Sequence, residues 1–334
     1  MKRHRIHTVS KKGISLVEMM VAVAVMSIIV LAVSPMFTLT QKGYSSMEAH
    51  NALKMSGQET INRIGNKLTQ CKRFFDGSAA STPFLARVSI ASPTLLAGSK
   101  LPIVEETGTL SPSSSTFVAS SVGNSVFFAS IEAPCDVSVG AESVRIDSYQ
   151  FNYYFLAEDG TASLGPQRKI VIWEWHSKFY VDYIQIMSIS NVTKRNSVVS
   201  ILFSSGTTYA WDPSATNVNS AFYLLSAGGG ITAEATHVIL QDSLKPMIKM
   251  ITGVTAGGFR YGVSPNTGSA FKSSQKVPNF ATANAKFPSG FELVVIGPNS
   301  SRQVFLRFVS VAQGSFSGYI ADEEVLLATV RDLW

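Results

Sequence analysis

Hydrophobic residues fall along this chain in three successive patterns. From Ile14 to Leu39 they run almost unbroken, with Glu18 the single charge. At about 1.5 Å per residue a helix of that length spans roughly 39 Å, enough to cross a hydrocarbon core of about 30 Å. Between Tyr44 and Phe75 the pattern becomes one-sided. Leu53, Ile61, Ile64, Leu68, Cys71 and Phe75 recur at helical intervals, and Glu48, Lys54, Glu59, Arg63 and Lys67 lie opposite as a charged, solvated face. Gly57 and Gly65 weaken this helix and permit close backbone approach, and Asp76-Gly77-Ser78 ends it, which puts Cys71 in its last turn.

Beyond residue 77 the period shortens to that of strands. Strands are expected at Leu85–Ile90, Thr116–Ser120, Ser125–Ile131, Val144–Leu156, Arg168–Trp175, Tyr180–Ser190 and Val198–Ser204. Others are expected at Thr207–Trp211, Ala221–Ser226, His237–Gln241, Gly258–Val263, Phe291–Ile296, Arg302–Val311 and Val325–Val330. Ser111–Ser115 and Lys272–Pro288 read as long loops. The expected architecture is α+β, a long N-terminal helix packed on one large antiparallel β-rich domain.

Charge changes the picture only at the start. The formal net charge is +6, and Lys2, Arg3, Arg5, Lys11 and Lys12 supply five of those charges in an opening stretch free of Asp and Glu. The rest of the chain is nearly neutral, which removes the case for a nucleic-acid partner. Basic residues on the N-terminal side alone keep that side in the cytoplasm and send the bulk across.

An ordinary secretory signal shares the charged start and apolar run. Its cut would follow Ala32-Val33-Ser34, which leaves the rigid ring of Pro35 directly after the scissile bond. Glu18 also lies inside the apolar run, where an ionisable group costs about 3 kcal/mol near a bilayer centre. The sequence offers nothing in the same helix to neutralise it, so a charge on another subunit is its natural partner. Pro35 removes one helical hydrogen bond, so a kink or loosening is expected there, with a plain end to the membrane span as the alternative.

Lys11-Lys12-Gly13 followed by Ile14-Ser15-Leu16-Val17-Glu18 resembles the prepilin peptidase site of type IV pilins and type II secretion pseudopilins. The resemblance implies a cut between Gly13 and Ile14, methylation of the new amine, and an assembly role for Glu18 as the fifth mature residue. Pro35 falls where many pilins carry a helix-breaking proline, while Ile14 departs from the usual Phe or Met. The implied organisation is a cleaved leader over 1–13, a membrane or filament-core helix over 14–39, an amphipathic stalk over 40–77 and an extracytoplasmic domain over 78–334. The implied location is the bacterial inner membrane with the domain in the periplasm, and later the filament or its tip. Implied partners are prepilin peptidase, other major and minor pilins, the inner-membrane assembly platform, and membrane lipid before assembly. Size and β-rich layout are similar to the PilW-like minor pilins; a large type II secretion pseudopilin and a pilus-tip adhesin are the alternatives.

In an oxidising compartment Cys71 and Cys135 are expected to pair, closing a loop of about 65 residues worth roughly 4 kcal/mol, with two reduced buried thiols as the alternative. Nothing in the sequence points to catalysis, a cofactor or a metal. Gly228-Gly229-Gly230 lacks the context of a phosphate loop and reads as a turn, and the histidines are scattered. Asp322-Glu323-Glu324 reads as a solvated turn rather than a cation site. The aromatic run Trp173 to Tyr183 reads as a hairpin with both arms aromatic, packed inside rather than displayed.

Overall fold

The computed structural model describes residues 15–95, 99–107, 121–158, 170–247, 260–261, 291–313 and 319–332. The elements in chain order are α1 (Leu16–Thr69), β1 (Cys71–Phe75), α2 (Thr82–Leu85), β2 (Val104–Glu105), β3 (Val126–Ile131), β4 (Cys135–Val139) and β5 (Glu142–Ile146). They continue with β6 (Ser148–Glu158), β7 (Ile170–Asp182), α3 (Tyr183–Ser188), α4 (Val192–Ser204), β8 (Tyr209–Trp211), β9 (Phe222–Leu225) and β10 (Ile231–Ala233). The last are β11 (Gln241–Pro246), β12 (Arg260–Tyr261), β13 (Phe291–Ile296), β14 (Arg302–Gln313) and β15 (Tyr319–Val330).

The larger sheet runs β1-β3-β6-β7-β8-β9-β10, with β11 and β12 also on β7, and the smaller runs β15-β14-β13-β2. Pairing is antiparallel except for β7 with β8 and β13 with β2. The two sheets share one core with the C-terminal half of α1: Ile61, Ile64 and Leu68 meet Val126, Phe128, Leu156, Leu293, Val304 and Leu306. The other face of the larger sheet buries Phe75, Phe127, Phe151, Trp175, Tyr180, Trp211 and Phe222. Their rings pack closely, Phe75 4.8 Å from Phe127 and Phe151 4.8 Å from Trp211 between centroids. A third cluster joins the β4–β5 hairpin to α3 and α4. This is the α+β arrangement expected of the sequence.

Several boundaries differ from the sequence reading. The helix stops at Thr69, and Cys71 begins a strand paired with β3 rather than ending the stalk. Apolar spacing alone fits both, since Cys71, Phe74 and Phe75 are buried in the strand; pairing against Val126–Ile131 decides. Val198–Ser204, read as a strand from its β-branched residues, lies in α4, where Asn191 caps the start and Val198, Val199 and Leu202 face the core. Leu85–Ile90 contributes only an isolated bridge at Val88. The aromatic run is not a hairpin: β7 continues straight through to Asp182, and the chain then turns into α3. Its large rings are buried as expected, with Trp175 and Tyr180 inaccessible, although Phe179 is half exposed. Asp322-Glu323-Glu324 lies within β15, not in a turn. Gly229 does sit in a turn, at φ +77°, with α4 so near that a Cβ would lie 2.5 Å from the Asn196 carbonyl oxygen. Thr116–Ser120, the Ser111–Ser115 and Lys272–Pro288 loops and most of Gly258–Val263 lie outside the described residues.

The expected disulfide is absent, and Cys71 and Cys135 are both free. Cys71 is sealed in the core shared by α1 and the two sheets, whereas Cys135 packs beside the β4–β5 cluster, so the two thiols serve different cores. Burial pushes the Cys71 thiol well above its ordinary range, with Asp332 adding to the effect. Thiol titration without reductant is therefore expected to find two thiols after unfolding, and one slow, one readily labelled thiol in the native chain. Two oxidised cysteines would refute this arrangement.

Candidate functional site

Gly13 and Ile14 lie outside the described residues, whereas Glu18 and Pro35 sit in α1. Ser15 caps the helix: its hydroxyl accepts from the Glu18 backbone N–H at 3.3 Å, and its own N–H donates to Glu18 Oε2 at 2.9 Å. Glu18 thus has a hydrogen-bond partner in its own helix, one the sequence reading did not include. The bond is to a neutral amide, however, and the helix N-terminus supplies only about half a positive charge. The carboxylate still lacks a full counter-charge among the described residues.

Pro35 neither ends the helix nor interrupts it; α1 runs 54 residues with Pro35 inside. The missing N–H leaves the carbonyl of Leu31 without its usual donor. Polar side chains nearby are satisfied locally, Ser27 donating to the Val23 carbonyl at 2.8 Å and Thr38 to that of Ser34 at 3.0 Å. From Leu16 to Leu39 the helix is uncovered by its own domain, and Leu16, Met26, Leu31 and Phe37 stand in the open. It is long and apolar enough to cross a membrane.

The domain grips only the later half. Leu53, Gly57, Ile61 and Gly65 form one row at four-residue spacing, Thr60, Ile64 and Leu68 the next, and both are buried. These rows lie on β14 and β15. A Cβ at Gly57 would meet the Glu324 side chain at 3.0 Å, and one at Gly65 the Leu326 side chain at 3.3 Å. The glycines are what let the helix lie this low on the strand.

The charged face of the stalk is not simply solvated. Arg63 grips Glu174 with two nitrogens, at 2.9 and 2.5 Å, and Lys67 reaches Glu132 at 2.5 Å. Glu174 is fully buried on β7 and also accepts from the Tyr154 hydroxyl at 3.0 Å, with His176 Nε2 at 3.0 Å. His176 Nδ1 lies 2.6 Å from Asn152 Oδ1, Asn152 donates to Ser130 at 2.8 Å, and Ser130 donates to Glu132 at 2.9 Å. A polar circuit thus leaves the helix at Arg63, crosses three strands and returns at Lys67, one turn away. Sequence reasoning missed it, although a carboxylate between two tryptophans and an Asn between Phe151 and Tyr153 were its visible signals.

Burial drives the Glu174 carboxyl upward, but His176, Arg63 and Tyr154 outweigh it and hold the group below the usual carboxylate range. A carboxyl depressed by folding stabilises the native state above its unfolded pKa of about 4.3, and that contribution disappears as pH falls through the lower folded value. Stability is therefore expected to be flat in this respect above about pH 5 and to fall below about pH 4, in Glu174→Gln less steeply than in the parent. Parallel pH slopes for the two in chemical unfolding would refute the assignment.

His237 is structural, buried between Tyr180, at 3.0 Å, and Glu234, at 3.2 Å. No cluster of His, Cys, Asp and Glu that could hold a metal occurs among the described residues. What the site can do is insert, pair a charge and hold a domain at a fixed attitude to a helix.

Residues 9–34 match the family model of the prokaryotic N-terminal methylation motif. The match covers Gly13, Ile14 and Glu18 and supports a type IV pilin-like or pseudopilin-like protein with pilin-type processing. No curated protein and no solved structure matches the chain.

Proposed function

We propose that this chain is a minor pilin of a type IV pilus, a non-enzymatic subunit that inserts by its N-terminal helix and helps initiate or cap the filament. The observation that carries the reading is the methylation motif placed at the head of a helix whose apolar stretch, Leu16 to Leu39, is left bare by its own domain. A contiguous apolar stretch of this length is not left to open water; that surface belongs to lipid and then to neighbouring helices. The minor role, and the PilW-like likeness, rest on the size of the β-rich region. Prepilin peptidase, other pilins and the inner-membrane platform are the proposed partners, and the domain faces the periplasm until the chain enters the filament.

The test is the mature N-terminus. Intact-mass and peptide analysis of membrane-extracted protein should find Ile14 as the first residue, carrying a methyl group, and Gly13→Ala should leave the leader in place. A start at Pro35, or an uncut wild-type chain, would overturn the proposal.

A further inference from the structure

The free edges of the two sheets are not protected alike. An unpaired edge offers a row of N–H and C=O groups to any extended chain, and folds blunt it by shortness, bulges, proline or lysine. β2 and β10 are two and three residues long. β1 breaks its register between Cys71 and Arg73. β11 breaks its own between Gln241 and Ser243, and carries Lys245 and Pro246. β15 has none of these devices. It is 12 residues long, holds no Pro, Gly, Lys or Arg, and pairs with β14 without a break from Tyr319 to Val330. Among the described residues nothing pairs with its outer edge.

The two faces of this strand differ. Glu324 and Leu326 turn towards α1, against Gly57 and Gly65. Val325 and Leu327 turn the other way and are 51% and 59% exposed, although Phe305, paired with Leu327 on β14, is buried. The cover over β14 thus stops one strand short of the edge, leaving an apolar pair beside an open ladder. The charges on β15 are all acidic and all in its first half: Asp322, Glu323 and Glu324. Glu323 continues an alternation across the sheet, with Glu292 on β13 2.5 Å from Arg307 on β14, and Arg307 3.5 Å from Glu323. The next strand in that order would bring a base.

A second copy of the chain does not fit this edge. Two copies joined edge to edge as antiparallel strands are related by a two-fold axis perpendicular to the sheet. Since α1 runs along β15, with Gly57 beside Glu324 and Gly65 beside Leu326, that axis points the two apolar helices in opposite directions. Two chains inserted in one membrane by the same route cannot adopt this. Parallel pairing in register would set the acidic halves side by side.

We infer that the outer edge of β15 takes up an extended segment of a different protein as an added strand, its apolar row against Val325 and Leu327 and a lysine or arginine of that row beside Glu323. The main-chain ladder gives the affinity, and the base gives the selection. The inference goes beyond the pilin reading and borrows from it only the shared direction of insertion.

The experiment uses the full chain in detergent and two labelled peptides of about ten residues, Val alternating with Thr, one flanked by lysines and the other by glutamates. Fluorescence anisotropy should show binding of the lysine peptide, with slowed amide exchange in Tyr319–Val330. Val325→Asn with Leu327→Asn, at positions open enough to spare the fold, should weaken binding about fivefold. Glu323→Gln should remove the preference for the lysine peptide. Thermal unfolding of each variant beside the parent checks that the fold is kept. No binding of either peptide, equal binding of both to the parent, unchanged binding in the Val325→Asn, Leu327→Asn variant, or slow exchange along the whole strand before peptide is added would each overturn the inference. The mature N-terminus is read by mass in the same preparation. A chain cut before Ile14 that binds neither peptide refutes the added strand and leaves the pilin reading standing; an uncut chain that binds the lysine peptide does the reverse.

Discussion

Glu18→Val should yield a chain that is processed, inserted and normally folded, yet is lost from filaments by tenfold or more. The geometry separates these effects. Glu18 stands many helical turns before Ala49, the first buried residue of the helix, so the domain does not depend on it. Its carboxylate accepts from the Ser15 N–H, part of a cap worth about 1 kcal/mol at the end of an exposed helix. A carboxylate in hydrocarbon costs about 3 kcal/mol, which that cap offsets in part and a neighbouring subunit's terminal amine would offset further. Valine removes both the cost and the pairing, so the single helix becomes more comfortable in lipid as the assembled state loses its axial reference. Glu18→Asp, one methylene shorter, should be partly defective. The readouts are filament content against membrane content of the variant, with protease resistance of the domain as the folding control. Wild-type filament content in Glu18→Val would leave the residue no assembly role.

Arg63→Ala should cost about 2–4 kcal/mol of stability, and Lys67→Ala less than about 1 kcal/mol. The contrast follows from what each leaves behind. Loss of Arg63 strands Glu174, whose side chain is 1% exposed, with only a phenol and an imidazole to hold its charge. Loss of Lys67 leaves Glu132, 20% exposed, still hydrogen-bonded to Ser130 and within reach of water. Replacing Glu174 by Leu in the Arg63→Ala background should recover part of the loss, because an unpaired buried charge costs more than the pair gains. Urea unfolding of the full mature chain in detergent measures the parent and all three variants. Equal costs for the two single variants would mean that the circuit is ordinary surface pairing.

How far the sequence discloses these features depends on how local their causes are. The helix signal over 14–68 needs only spacing, and the motif around Glu18 only adjacency, so both are plain in one dimension. The strands Phe291–Ile296 and Arg302–Val311 are also readable from their apolar, β-branched make-up, whereas their pairing with each other and with β15 is seen only in the fold. Cys71–Phe75 passes for the end of a helix because its burial satisfies either period, and only its partner strand, far along the chain at Val126–Ile131, distinguishes them. Val198–Ser204 passes for a strand when β-branching is weighed above the Asn191 cap, and the fold obeys the cap. The polar circuit draws on α1, β6, β7 and the end of β3, and no window of sequence contains it. Cysteine pairing depends on the same kind of distant placement, and the two residues fold into separate cores.

The docking of α1 on β14 and β15 also dictates an order of events. The helix is made well before these strands, which help cover its Leu53, Ile61, Gly65 and Leu68 and leave the ribosome much later. Until Arg302–Gln313 and Tyr319–Val330 arrive, the stalk's apolar rows have only part of their cover. Folding of this domain is therefore a late closing step between segments far apart in the chain. The interval before it is when the chain is most open to aggregation, and most in need of a chaperone or a partner.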